Sequence, residues 1–340
     1  MSTPRADPEV VYAPMTWTSL PAMTTPRSSH TATVLADGRV LVAGGLVEAE
    51  GDAPTSAEIF DPATSSWTST GSMTTARTGH NALLLADGRV VVIGGNSPTS
   101  GSAAEVWDPS TGEWAAIGGL IPVPRDSAAL LSDGRILVAG GSGRTRASLL
   151  DLATGTWTQT DHYSEARYNV SLVTLRDGTL LLVGGDHLAD RGMALVERYE
   201  PSSNGWSVVG SLKPQTHAHS IALLDDGRIL AIGSERPSQE FAQLFDPVSG
   251  QSTFVNTPLA AWAGGDAVRL PDGRVLFASG EGAGYFDPAS ESWVSIPPMP
   301  DPRSGATMSL LRTSAVLIAG GWTSPDGAST IPSAAVNLLR

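Results

Sequence analysis

Apolar and polar positions along this chain do not follow the 3.6-residue spacing of amphipathic helices. They come in short apolar runs cut by glycine, proline and aspartate, the pattern of consecutive β-strands. The run DGRVLVAGG at 37–45 returns as DGRVVVIGG (87–95), DGRILVAGG (133–141), DGTLLLVGG (177–185), DGRILAIGS (226–234) and DGRVLFASG (272–280). A seventh copy, TSAVLIAGG at 313–321, has lost the Asp-Gly pair. Each copy continues with a second apolar run such as AEIFDP or AEVWDP, then a turn, then in most copies a tryptophan: Trp67, Trp114, Trp157, Trp206 or Trp293. Asp-Gly between apolar strands predicts a tight hairpin, and a type I′ turn with positive φ at both central residues is the expected form. Gly-Gly then ends a buried strand where backbones crowd and a Cβ would not fit. Asp-Pro suits a type I turn, with proline fixing φ at its second position. One repeat therefore predicts a four-stranded antiparallel meander.

Seven such units predict an all-β, seven-bladed β-propeller. The ends of the pattern predict how the ring closes. The chain opens with a fourth-strand signature, MTWTSL around Trp17, and finishes on a third strand, AAVNLL. The N-terminal strand is expected to complete the last blade and remove an open sheet edge. Residues 1–14 then read as a tail and 15–340 as one propeller, which takes up the sequence and leaves no second domain.

Composition narrows the partners. The 340 residues are 41% hydrophobic and 16% charged, suited to a buried core. Net charge is −13 with no basic run, so nucleic acid and anionic membranes are not expected partners. The chain has no cysteine, hence no disulfide, thiolate ligand or thiol nucleophile. No apolar leader or run long enough to span a bilayer is evident, and a cytoplasmic monomer is expected.

The order R-x-x-H, DGR-(apolar)-GG, AE-(apolar)-DP-x-T-x-x-W resembles the kelch repeat of bacterial propeller proteins, from Trp17 to Leu339. The resemblance implies the fold closely and the function loosely, because kelch propellers include adaptors, oxidases, epimerases and lyase-like specifier proteins. Copper-radical oxidases of the galactose-oxidase type need a Tyr–Cys crosslink, which a chain without cysteine cannot form. Resemblance to kelch-type sialic-acid epimerases would set Glu235 or Glu281 beside Arg167, although those proteins are six-bladed. Resemblance to iron-dependent specifier proteins would direct attention to Asp186, His187 and Asp190.

In a meander blade the uniform Asp-Gly and Asp-Pro turns share one face, while the second-to-third and fourth-to-first connections share the other. The latter vary, and function on repeat scaffolds gathers in variable loops. The residue after each glycine pair is Leu46, Asn96, Ser142, Asp186, Glu235, Glu281 and Trp322, so three successive blades offer a carboxylate at one level. A second ring, seven residues before each Asp-Gly position, holds His30, His80, Asp126, Val170, His219, Gly265 and Ala306, with His217 and Tyr168 nearby. Arg27, Arg77, Arg167 and Arg303 recur at one loop position. The plain readings are that His30 and His80 are structural, that the arginines are blade-to-blade hydrogen-bond forks, and that the carboxylates pair with them.

The functional reading makes the loop face a site. Asp186, Glu235, Glu281, His217 and His219 would supply acid–base chemistry. Trp262, Trp322, Tyr168, Arg167, Arg77, Arg27, Arg303 and Asn96 would hold the ligand. Asp186, His187 and Glu235 could ligate a divalent cation such as calcium or magnesium. Two functions follow: a small-molecule isomerase, cyclase or lyase, or an adaptor whose arginine ring reads acidic peptides.

Overall fold

The computed structural model describes residues 15–48, 53–96, 104–119, 126–141, 145–187, 191–192, 194–213, 217–236, 239–256, 266–280, 282–324 and 330–340. Seven four-stranded antiparallel sheets follow one another around a ring. Blade 1 consists of Thr31–Val34, Val40–Ala43, Ala57–Asp61 and Ser66–Thr70. Blades 2 to 6 repeat this order, beginning at Asn81, Asp126, Ser171, His217 and Asp266. Blade 7 takes Thr307–Leu310, Val316–Ala319 and Val336–Leu339 from the end of the chain and Trp17–Leu20 from its beginning. Each innermost strand lies beside the next, and the last lies beside the first, so the ring is closed around an axial channel. Among the described residues no helix is long and apolar enough to cross a membrane. The tail expected at 1–14 lies outside the described residues.

Closure follows the predicted route. Trp17 pairs with Leu339 and Leu20 with Val336, and the backbones of Thr16 and Arg340 exchange two hydrogen bonds, of 2.9 and 3.1 Å. The Trp17 indole N–H donates to Pro297 O of blade 6 at 2.7 Å. Trp67 and Trp114 make the same reach, to Pro21 O and Gly71 O of the preceding blade. In blades 1, 2 and 7 the fourth-strand tryptophan is therefore an outer clamp between blades as well as an apolar filler.

The core lies between blades. Second strands such as Val40–Ala43 and Val90–Ile93 are buried throughout. Their side chains pack on neighbouring sheets: Val40, Val42 and Phe60 of blade 1 meet Leu317, Ala319 and Leu338 of blade 7. Burying each such side chain stabilises the fold by about 1.5–3 kcal/mol. An isolated blade would expose both faces, so the ring is the stable unit.

The Asp-Gly hairpins differ from the expected type I′ form. Gly38 N donates to Leu35 O at 2.9 Å and Leu35 N to Arg39 O at 2.7 Å, while Gly38, at φ +92°, is the turn residue with positive φ. This is a type I turn followed by a glycine bulge, in which Asp37 keeps an ordinary backbone. Asp37 accepts from Arg39 N–H at 3.0 Å and from Arg39 Nε at 2.7 Å, which accounts for the arginine of DGR. The glycine pair behaves as expected: a Cβ on Gly44 would stand 2.6 Å from Arg77 O and 2.8 Å from His80 Cε1 of the next blade.

Candidate functional site

The fourth-to-first connections carry the recurrent arginines into the wall. Arg27 is 1% exposed and donates to Gly44 O, Ser56 O and the Glu58 carboxylate at 2.8, 3.0 and 3.2 Å. Arg77 pairs with Glu105, and Arg167 with Glu197. In blade 7 Asn337 replaces the acid and accepts from Arg303 at 2.6 Å. Burial lowers all four guanidinium pKa values, that of Arg303 to about 10.

Two expectations change here. The side-chain fork stays within its own blade, because its carbonyls and carboxylate belong to the strands that follow the arginine. The link between blades runs instead through the arginine backbone: Arg27 O accepts from Gly321 N and Arg77 O from Gly45 N, both at 2.8 Å. The guanidinium groups of Arg27, Arg77, Arg167 and Arg303, expected at the ligand, are buried and bonded inside the wall.

The histidines of this connection are structural. His30 Nε2 lies 3.1 Å from Thr307 Oγ1, and His80 Nε2 lies 2.9 Å from Thr31 Oγ1. Both bridge adjacent inner strands. Burial pushes their pKa values down to about 3, and the neighbouring arginines act in the same direction.

On the loop face, the residues after the glycine pairs form equivalent backbone bridges: Ser28 with Leu46, Thr78 with Asn96, Tyr168 with Asp186, and Ser304 with Trp322. Blade 4 thus brings Tyr168 and Asp186 together. Asp186 is buried, and Asn169 Nδ2 donates to its Oδ2 at 2.7 Å. Trp322 and Tyr168 are half-buried and Asn96 is exposed. Trp322 is three blades away from Asp186 around the ring. Glu235 lies on the second strand of blade 5, His217 and His219 on its first, and His187 on a short hairpin after blade 4's second strand. Their side chains are outside the described set, as are Trp262 and Glu281 entirely.

Sequence reading missed a carboxylate one residue beyond the second ring. The innermost strands align Thr31, Asn81, Ser127, Ser171, Ser220, Asp266 and Thr307 at one level. Neutral members tie one blade to the next: Asn81 Oδ1 accepts from Ala128 N at 3.4 Å and Ser127 Oγ from Leu172 N at 3.1 Å. Asp266 makes the same kind of link to the Met308 backbone, and also accepts from Ala267 N at 2.8 Å and Ser220 Oγ at 3.4 Å. Its side chain is exposed, while desolvation by the protein packed around it raises its pKa against the lowering effect of those hydrogen bonds. The available signal was a single charge in an otherwise neutral polar ring.

Residues 29–234 match the family model described as the KLHDC2/KLHL20/DRC7 Kelch-repeats domain. The chain belongs to the kelch-repeat family. No curated protein matches it. Among solved structures, this kelch propeller is similar to a novel fungal alcohol oxidase with catalytic diversity among the AA5 family, in complex with copper. The TM-score is 0.74 at 18% identity, covering 95% of this chain and 76% of that one. At that identity the likeness concerns the fold alone. The copper is a feature of that protein; this chain has no cysteine, and among its described residues no group of three His, Cys, Asp or Glu side chains is placed to hold a metal. The kelch fold makes the protein a ligand- or protein-binding propeller.

Proposed function

We propose that this propeller binds a small molecule at its loop-face mouth and acts on it by acid–base chemistry of the isomerase, cyclase or lyase type. The observation that carries the reading is Asp186. Where blades 1, 2 and 7 place Leu46, Asn96 and Trp322, blade 4 places a carboxylate oriented by Asn169 and bridged through its backbone to Tyr168. A fixed carboxylate can take a proton from a ligand carbon or hydroxyl, and a phenol O–H can donate to the oxygen that gains charge. That step is common to isomerisation, cyclisation and elimination. Glu235, Glu281, His217 and His219 belong to the same proposal as further proton carriers, and Trp262 and Trp322 as aromatic ligand contacts. A divalent cation held by Asp186, His187 and Glu235 is a variant of it, checked by metal analysis of the purified protein. The proposal includes a cytoplasmic monomer without nucleic-acid or membrane partners, in keeping with the net charge of −13. An adaptor reading acidic peptides would need cations other than the four recurrent arginines, which are buried in the wall.

The test is proton exchange. Panels of 2-keto acids, lactones, aldoses and their amino-substituted counterparts would be incubated with the protein in D2O and followed by proton NMR. The expected result is loss of a C–H signal in one class, abolished in Asp186→Asn without a change in Tm. Exchange at the wild-type rate in that variant, or no exchange in any class, would overturn the proposal.

A further inference from the structure

Read from the level of Thr31 towards the turn face, the seven innermost strands are TATV, NALL, SAAL, SLVT, SIAL, DAVR and TMSL. Only blade 6 places charge on these positions, with Asp266 at the loop-face end and Arg269 at the turn-face end. Arg269 shares Asp225 with Arg176, and Arg312 bonds Ala36 O nearby on the same face. The inner strands therefore carry one acid, Asp266, towards the variable mouth and one base, Arg269, towards the turn face.

We infer that the channel mouth is a binding site for a small organic cation, a protonated primary amine, whose ammonium group docks on Asp266. Three observations support this. Among the described residues no cation pairs with Asp266, whose side chain is exposed at the inner edge of blade 6. Asn81 makes the same interblade link in blade 2 with a neutral side chain, so linking blades does not require the charge. The carboxylate already accepts from Ala267 N–H, Ser220 O–H and Met308 N–H.

The last point selects the kind of cation. A carboxylate has about four acceptor sites, so three internal bonds leave one for a ligand. That suits an ammonium N–H, set beside the Ser220 hydroxyl that already bonds the carboxylate. It does not suit calcium, which seeks about six to eight oxygens and often a bidentate carboxylate. The excess negative charge of the chain favours cation entry. The inference deepens the proposed function by naming the ligand's charge, and rests on that reading only in using the same mouth.

The test is calorimetric titration of the full chain with n-butylammonium chloride. Separate arms use n-butanol and the chlorides of sodium, potassium, calcium and magnesium. Wild type and Asp186→Asn should bind the amine saturably, while Asp266→Asn and Asp266→Thr should bind at least about tenfold more weakly. Both Asp266 substitutions place a residue already used in this ring, so each is expected to fold, with Tm as the check. Absence of amine binding, equal binding by the Asp266 variants, or binding of a metal ion alone would overturn the inference. Amine binding that survives in Asp186→Asn, without proton exchange on any substrate class, would sink the acid–base proposal and leave this one standing.

Discussion

Arg77 and Glu105 meet 3.1 Å apart inside the wall of blade 2, with side chains only 3% and 0% exposed. The acid also accepts from Thr74 N and Thr75 N at 2.5 and 3.1 Å, so it holds the connection as well as the arginine. Arg77→Ala should lower stability by about 3–5 kcal/mol, because it strands a buried charge. Arg77→Met combined with Glu105→Gln should recover most of that. Blade 5 already uses Gln243 at this position, accepting from Lys213 N at 2.9 Å. Urea unfolding of the single and double variants tests the pair.

Ser314 occupies the turn position that glycine fills in the six intact repeats, at φ +65°. The hairpin keeps its hydrogen bonds, Ser314 N to Leu311 O at 3.0 Å and Leu311 N to Ala315 O at 2.8 Å. Ser314→Gly should relieve left-handed strain and raise stability by about 0.5–1 kcal/mol, net of glycine's entropy in the unfolded chain. Calorimetry should show a small rise in Tm; an unchanged or lower Tm would mean that the serine is unstrained.

Trp17 joins the closing strand to blade 6 through Pro297 and through its packing. Trp17→Ala should cost about 3–5 kcal/mol. Removing residues 1–20 should do more, exposing the edge at Val336–Leu339, with soluble yield or Tm falling sharply. A truncated chain that melts like the full one would refute the closure energetics.

His30 and His80 make stability depend on pH. Their folded pKa values, about 3, lie below the ordinary 6.5. The unfolded chain therefore binds more protons between these values, and stability falls as pH drops from 6.5 towards 3. The slope is about 1.4 kcal/mol per pH unit for each group. Asp266 has the opposite sign: its raised pKa favours the folded state as pH falls through that pKa. His80→Gln should flatten the decline in Tm below pH 6.5 relative to wild type, and parallel profiles would remove His80 from the account.

The repeat, the blade count and the seam were legible because glycine, proline and tryptophan mark backbone needs that recur at a fixed period. The turn type was not, since Asp37 can serve either turn and only Gly38 reports positive φ. The arginines were legible as a ring but not in direction: Glu58, Glu105 and Glu197 sit about thirty residues downstream, and register alone brings them opposite Arg27, Arg77 and Arg167. Asp266 escaped because loops of different length precede the inner strands, so its neutral counterparts emerge only when the strands are paired. Tyr168 and Asp186 each stood out as a departure from the repeat, and the backbone bridge supplied their proximity.

The exchange of hydrogen bonds between Thr16 and Arg340 has a consequence for synthesis. Trp17–Leu20 is made about 320 residues before its partner strand, Val336–Leu339. At translation speeds of about 5–20 residues per second, this strand waits roughly 15–60 s for its partner. Throughout that interval the nascent protein is an open arc with an unpaired apolar strand at one end and an unfinished blade at the other. Two nascent chains can satisfy each other's seams at that stage. A closed dimer sharing two exchanged strands is the misassembly to expect when synthesis outpaces closure.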